Sequence, residues 1–189
     1  MGLLGPMFSN IGRFHWRHGL MGVVAVLIVV LAWRYWVARW PEEVVLRPEL
    51  ELREGQLYRP GGSEPFFGLL VENWRPNQRR VEVTIRDGRA DGLSRGWYEN
   101  GQMEVKEHFV RGVSNGQRTR WYADGGKKSE VLIKEGQLVG VFREWHANGQ
   151  LARETPLSGG VADGEVKSWD ELGKALRSIR VKNGRKTDS

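Results

Sequence analysis

The residue types that do chemistry are sparse in this chain and poorly spaced for it. No cysteine occurs among the 189 residues, which excludes disulfides, thiol catalysis and a lipidated cysteine. The four histidines are His15, His18, His108 and His146. The first pair flanks an apolar stretch. The second pair is split between repeats, without the cysteine or close carboxylate spacing of a metal site. No phosphate-binding glycine loop with its lysine, no nucleophile elbow and no zinc-helix motif is present. No acid, base or nucleophile is positioned, so no catalytic residue, metal or cofactor is assigned. The chain is expected to be no enzyme and to take no small-molecule substrate.

What remains is recognition chemistry, and its spacing is regular. A unit of 24 residues runs from Gly92 to Asn115 and returns at Gly116, Gly140 and Gly164. Trp97, Trp121, Trp145 and Trp169 keep register, and so do the glycines Gly101, Gly112, Gly125, Gly136, Gly149, Gly160, Gly173 and Gly184. Residues 68–91 form a degenerate further copy in which Asn77 replaces the turn glycine and Trp74 stands one place off the tryptophan column. Each unit reads as a β-hairpin. In the first full copy the strands are Leu93–Glu99 and Gln102–Val110, joined through Asn100-Gly101, since Asn-Gly between strands is the strongest short hairpin signal. Paired glycines such as Gly112 and Gly116 read as the connections between hairpins.

Odd positions of the second strands are apolar (Val81, Val83, Ile85; Val131, Ile133) and even positions are charged, so one face is dry and one wet. A lone hairpin is marginal in water. The expected architecture is therefore mainly β, an elongated single-layer stack of antiparallel hairpins. The tryptophans read as a core ladder, or alternatively as an open aromatic track for a ligand. Tyr98, Tyr122 and His146, next to the tryptophans, point to the opposite face. Together with Arg118, Arg120 and Phe142 they are the candidate partner-binding face, because interfaces favour exposed aromatics with arginine. The alternative is a solvated face with cross-strand pairs.

Charge and hydropathy set the frame. Net charge is +6, but residues 42–173 hold 19 basic against 22 acidic residues, and the excess lies at the two ends. A nucleic-acid partner is not expected from that distribution. Gly19 to Trp33 carries no charge, and apolar character resumes after Arg34. With aromatics at both ends, residues 19–40 read as a single membrane-spanning helix. A cleaved signal or a buried core helix is the alternative. The free amine, Arg13 and Arg17 put the N-terminus inside, and hence the C-terminal part outside the cytoplasm. The domains expected are a tail (1–18), the anchor (19–40), a connector with opening strands (41–67) and repeats over 68–186, divided as 68–91, 92–115, 116–139, 140–163 and 164–186.

The spacing Gly140-x4-Trp145-x2-Asn148-Gly149-Gln150-Leu151-x2-Glu154, followed by Gly160-x3-Gly164, resembles the MORN-variant repeat family. Leu57-Tyr58 and Pro65-Phe66-Phe67-Gly68 look like the opening of bacterial members, some of them YwqK-type antitoxins. The resemblance implies a hairpin stack with a binding role and no catalytic centre. The expected function is a membrane-anchored protein-interaction scaffold with an unidentified protein partner. The alternatives are an antitoxin or immunity protein that neutralises a toxin, and a lipid-headgroup-associated structural protein using the basic tail Lys174–Lys186.

Overall fold

The computed structural model describes residues 44–46 and 49–187. The tail and the anchor helix expected over residues 1–40 lie outside the described residues. The described residues are mainly β and contain no α-helix. They form one large sheet of hairpins with a separate two-stranded piece.

The strands of the large sheet follow the repeats. The first is β1 (Val44–Leu46), and β4 (Gly68–Arg75) and β5 (Gln78–Arg86) make the degenerate copy. The next hairpins are β6 (Arg89–Trp97) with β7 (Met103–Val110), β9 (Gly116–Trp121) with β10 (Lys127–Lys134), and β11 (Gln137–Trp145) with β12 (Leu151–Ser158). The last rungs are β14 (Gly164–Ser168), β15 (Ile179–Lys182) and β16 (Arg185–Lys186). Two short strands, β8 (Val113–Ser114) and β13 (Val161–Ala162), pair with β7 and β12. Pairing follows chain order and is antiparallel, except that β1 lies parallel to β4. The two-stranded piece is β2 (Glu51–Arg53) with β3 (Gln56–Tyr58).

The turn chemistry differs from the sequence expectation. The two-residue turns are not at Asn100-Gly101 or Asn148-Gly149. They lie at Asp87-Gly88, Arg111-Gly112, Glu135-Gly136, Gly159-Gly160 and Asn183-Gly184, where both residues have positive φ, the signature of the type I′ hairpin. At Asn100-Gly101 only Gly101 has positive φ. The Tyr98 N–H donates to Gln102 O at 2.9 Å, and the Gly101 N–H donates to Tyr98 O at 2.9 Å. This is a three-residue loop with glycine in the left-handed position. It explains why the strands stop at Trp97 and resume at Met103, short of the expected Glu99 and Gln102.

Loop length also fixes which side chains share a face. Gly96 lies opposite Val105, and Val105 opposite Arg120. Arg118 lies opposite Val131, and Phe142 opposite Thr155. Arg118, Arg120 and Phe142 therefore share the face of the apolar second-strand residues instead of standing opposite them. Trp97, one residue beyond Gly96, alternates towards the other face. That face carries a row in register that is charged apart from Thr119: Glu82, Arg95, Lys106, Thr119, Glu130, Arg143, Glu154 and Lys167. Lys127 joins the two features, because its Nζ lies 4.9 Å from the Trp145 ring centroid and 3.0 Å from Glu130.

The buried side chains are aliphatic apart from Phe66. Ile85, Ile133 and Val181 hold one column of the apolar face, with Leu70, Val131 and Val166 around it, while Val71, opposite Glu82, is buried on the other face. The four tryptophans are half-buried. At the N-terminal end the β2–β3 hairpin covers the sheet. Phe66, Leu70 and Ile85 cluster there with Leu50, Leu57, Val83 and Ala90. Gly88 sits at the crossing, donating to Phe66 O at 2.9 Å and accepting from the Leu57 N–H at 2.8 Å.

Candidate interaction surface

One column of side chains crosses from each repeat to the next. Tyr98 Oη donates to Trp121 O at 2.8 Å, and Tyr122 Oη donates to Trp145 O at 2.7 Å. His146 Nε2 lies 2.9 Å from Trp169 O. A carbonyl only accepts, so this nitrogen carries the proton. Trp74 Nε1 donates to Trp97 O at 2.9 Å. Trp74 stands 24 residues before Tyr98, so it is in register with the tyrosine column, not out of register with the tryptophan column. The acceptors Trp97, Trp121 and Trp145 are the last residues of β6, β9 and β11, and Trp169 directly follows β14.

The opposite edge of the sheet is laced by the tight turns. The Gly112, Gly136 and Gly184 N–H groups donate to Ala90, Ser114 and Ala162 carbonyls at 2.7, 2.9 and 2.8 Å. With both edges tied across repeats, the side chains between them hold a fixed spacing.

The sequence-derived face residues are distributed along this surface. Tyr122 and His146 line an open notch of about 350 Å³ with Lys128, Glu144, Arg153, Trp169 and Leu176. Lys128 Nζ lies 5.3 Å from the Tyr122 ring centroid, within cation–π range. Arg118 is paired with Glu107, which also accepts from Ser114 Oγ. Arg120 is exposed and acts on Tyr98. Burial pushes the Tyr98 hydroxyl above its ordinary pKa, Glu104 and Asp124 push the same way, and Arg120 opposes them. Phe142 lies further along the face, half-buried. Arg143, in the charged row, is held above the ordinary arginine range chiefly by its hydrogen bond to Glu154. A second hollow, about 800 Å³, opens between the β2–β3 hairpin and the first repeats, lined by Leu57, Leu70, Val81, Val83, Ile85 and Val113 among others.

Sequence reasoning missed two features. The first is the use of the turn asparagines: Asn100 Nδ2 donates to Ala123 O, and Asn148 Nδ2 to Glu171 O, both in the following repeat. The signal was their place in the 24-residue register, which turn propensity alone obscured. The second is the state of the C-terminal cations. Lys174, Arg177, Arg180, Lys182, Arg185 and Lys186 are exposed, and no ion pair links any of them to another described residue. Leu172 (92% exposed) and Leu176 (52%) stand beside them. No group of three or more metal-ligating side chains occurs among the described residues.

The family described as MORN repeat variant matches residues 90–111 and 138–157. These are the hairpins β6–β7 and β11–β12, whose loops carry Asn100 and Asn148. No curated protein matches the chain, and no solved structure does. Proteins built of such repeats are generally non-enzymatic, and the repeats are consistent with a role in protein interaction. A MORN repeat variant is found in this chain within residues 90–157.

Proposed function

We propose that the protein is a non-enzymatic scaffold, anchored in a membrane by residues 19–40, that binds a protein partner with the apolar face of its hairpin stack. Tyr98, Arg118, Arg120, Tyr122, Phe142 and His146 are the residues of that face that meet the partner. The observation that carries the reading is the inter-repeat column. Side chains locked to the next repeat's backbone at 2.7–2.9 Å lose little further freedom on binding, and preorganisation of this kind favours association. The repeat stack stands outside the cytoplasm. Neutralising a toxin, as an antitoxin or immunity protein does, is one form of the same interaction.

The test is site-specific photo-crosslinking of the full chain in its native membrane. A crosslinker at Phe142 or Arg120 captures a partner, whereas one at Lys106 or Lys167 on the charged row does not. Capture that is equal from both faces, or none from either, defeats the reading. A reporter fused after Ser189 reports the compartment.

A second reading has its own support in the unpaired C-terminal cations beside exposed Leu172 and Leu176. Basic residues near an anionic bilayer contribute about 1 kcal/mol each, so that end of the stack would rest on lipid headgroups. Flotation of residues 42–189, without the anchor, that persists with anionic vesicles in high salt, or fails in low salt, defeats it.

A further inference from the structure

Asn100 and Asn148 hold the same place in the first and third loops. In each, the side-chain amide makes two bonds. Oδ1 accepts from the N–H two residues on, Gln102 and Gln150, at 3.0 Å in both loops. Nδ2 donates across the repeat boundary, to Ala123 O at 2.6 Å and to Glu171 O at 2.5 Å. The second loop has Asp124 instead. Its Oδ1 keeps the local bond, from the Gly126 N–H at 2.9 Å. A carboxylate has no proton to donate, so the bond across the boundary is missing there. The acceptor still stands close by: a Cβ placed on Gly126 would lie 3.2 Å from Asp124 Oδ1 and 3.6 Å from Ala147 O. Bridged and unbridged junctions thus occur in one chain.

Both asparagines are exposed and followed by glycine. Asn-Gly is chemically labile. The glycine nitrogen, unhindered by a Cβ, loses its proton and attacks the asparagine Cγ. The Cγ–Nδ2 bond breaks and ammonia leaves, giving a succinimide. Water opens the ring at either carbonyl to aspartate or isoaspartate. The net change is amide plus water to acid plus ammonia, without a redox step. The folded turn opposes it: the Gly101 and Gly149 N–H groups are donated to Tyr98 O and His146 O at 2.9 Å. The side-chain amide is also held by the next repeat, so attack requires the loop to detach.

We propose that Asn100 and Asn148 are deamidation sites gated by repeat stacking. Conversion deletes the bridge and turns each junction into the Asp124 type. The reaction is not reversed by restacking, so it records loosening of the stack. It does not depend on what the apolar face binds. Of the two, Asn148 converts first. Its acceptor Glu171 belongs to the last repeat, where residues 171–180 are all exposed, and terminal units with a neighbour on one side open most readily.

The experiment ages the full chain in detergent micelles at mildly alkaline pH and maps aspartate and isoaspartate by peptide mass spectrometry. Asn148 is expected to convert several-fold faster than Asn100. In parallel, N148D is expected to speed amide exchange at Trp169 and Asp170 roughly five-fold, the loss of one hydrogen bond, and to leave the first repeat unchanged. D124N is expected to do the reverse, slowing exchange around Ala147 by creating the missing donor. Equal conversion at the two sites overturns the gating. Unchanged exchange in both N148D and D124N overturns the bridge.

Discussion

At its N-terminal end the sheet is covered: Phe66, Leu70 and Ile85 are enclosed between β4–β5 and the segment carrying β2–β3. At its C-terminal end nothing among the described residues covers it. Ten consecutive residues, 171–180, are exposed, and Val166 and Val181 are the buried side chains there. The same repeat therefore ends in two ways. A covered rung is stabilised by apolar burial, at about 25 cal/mol per Å². An uncovered rung depends on its neighbour through backbone bonds and the inter-repeat column. In a stack whose units touch only their neighbours, that difference produces a stability gradient along the chain.

The gradient is tested most strongly by emptying each end. Phe66→Ala should destabilise by about 3–5 kcal/mol, the cost of a buried aromatic. Val181→Ala should cost about 1–2 kcal/mol. Hydrogen exchange should show Phe66→Ala loosening β3 through β6 and Val181→Ala loosening only β14 to β16. Comparable losses, or spread of the second into the middle repeats, would remove the distinction.

A subtler comparison uses one turn position at both ends. Gly88 and Gly184 both have positive φ, +69° and +76°. A Cβ on Gly88 would meet Gln56 Cβ, Leu57 N and Leu57 O, each at 2.8 Å, whereas on Gly184 its nearest neighbour is Val161 Cβ at 3.9 Å. Gly184→Ala should show only the left-handed penalty, about 1–2 kcal/mol. Gly88→Ala adds a backbone clash and should displace the β2–β3 hairpin. Denaturation midpoints would measure both, and equal midpoints would mean that the crossing at Gly88 is not a tight one.

The repeat itself was fully legible in the sequence, because a glycine in a left-handed turn leaves a mark that no other residue makes so regularly. The hairpins followed from it. The sides of the sheet did not follow. Register between strands depends on whether a loop has two residues or three, and a one-residue difference moves each side chain to the other face. Asn-Gly signals the two-residue turn, yet at Asn100-Gly101 and Asn148-Gly149 it builds the three-residue one. The tryptophan column was consequently assigned to the apolar side, while Gly96 opposite Val105 sends it towards the charged row. The tyrosine column was legible as a surface but not as a set of bonds. Hydroxyl-to-carbonyl contacts 23 residues apart leave no compositional trace.

Those bonds sharpen the comparison at the junctions. Tyr122→Phe and Tyr98→Phe each delete one hydrogen bond to a carbonyl, about 0.5–1.5 kcal/mol. At the Tyr98 junction the Asn100 bridge remains, while at the Tyr122 junction Asp124 supplies none. Tyr122→Phe should therefore raise exchange in the neighbouring repeat more than Tyr98→Phe does. The opposite order would show that the asparagine bridges contribute little to coupling.

The smallest effect expected is a dependence on alkaline pH. Tyr98 has its hydroxyl raised above the ordinary value of 10.0, first by burial and then by Glu104 and Asp124. Only the protonated phenol can donate to Trp121 O. A folded-state pKa above the unfolded one means that the native protein holds the proton more tightly. Its contribution is complete below about pH 10 and is lost as pH rises through the folded value. Lysines titrate in the same window, so the informative quantity is the stability gap between wild type and Tyr98→Phe. That gap, followed by denaturant midpoint from neutral pH upward, should hold constant to about pH 10 and then narrow. A gap that widens at high pH would mean that the hydroxyl is stabilised as its anion, with Arg120 outweighing burial and the two carboxylates.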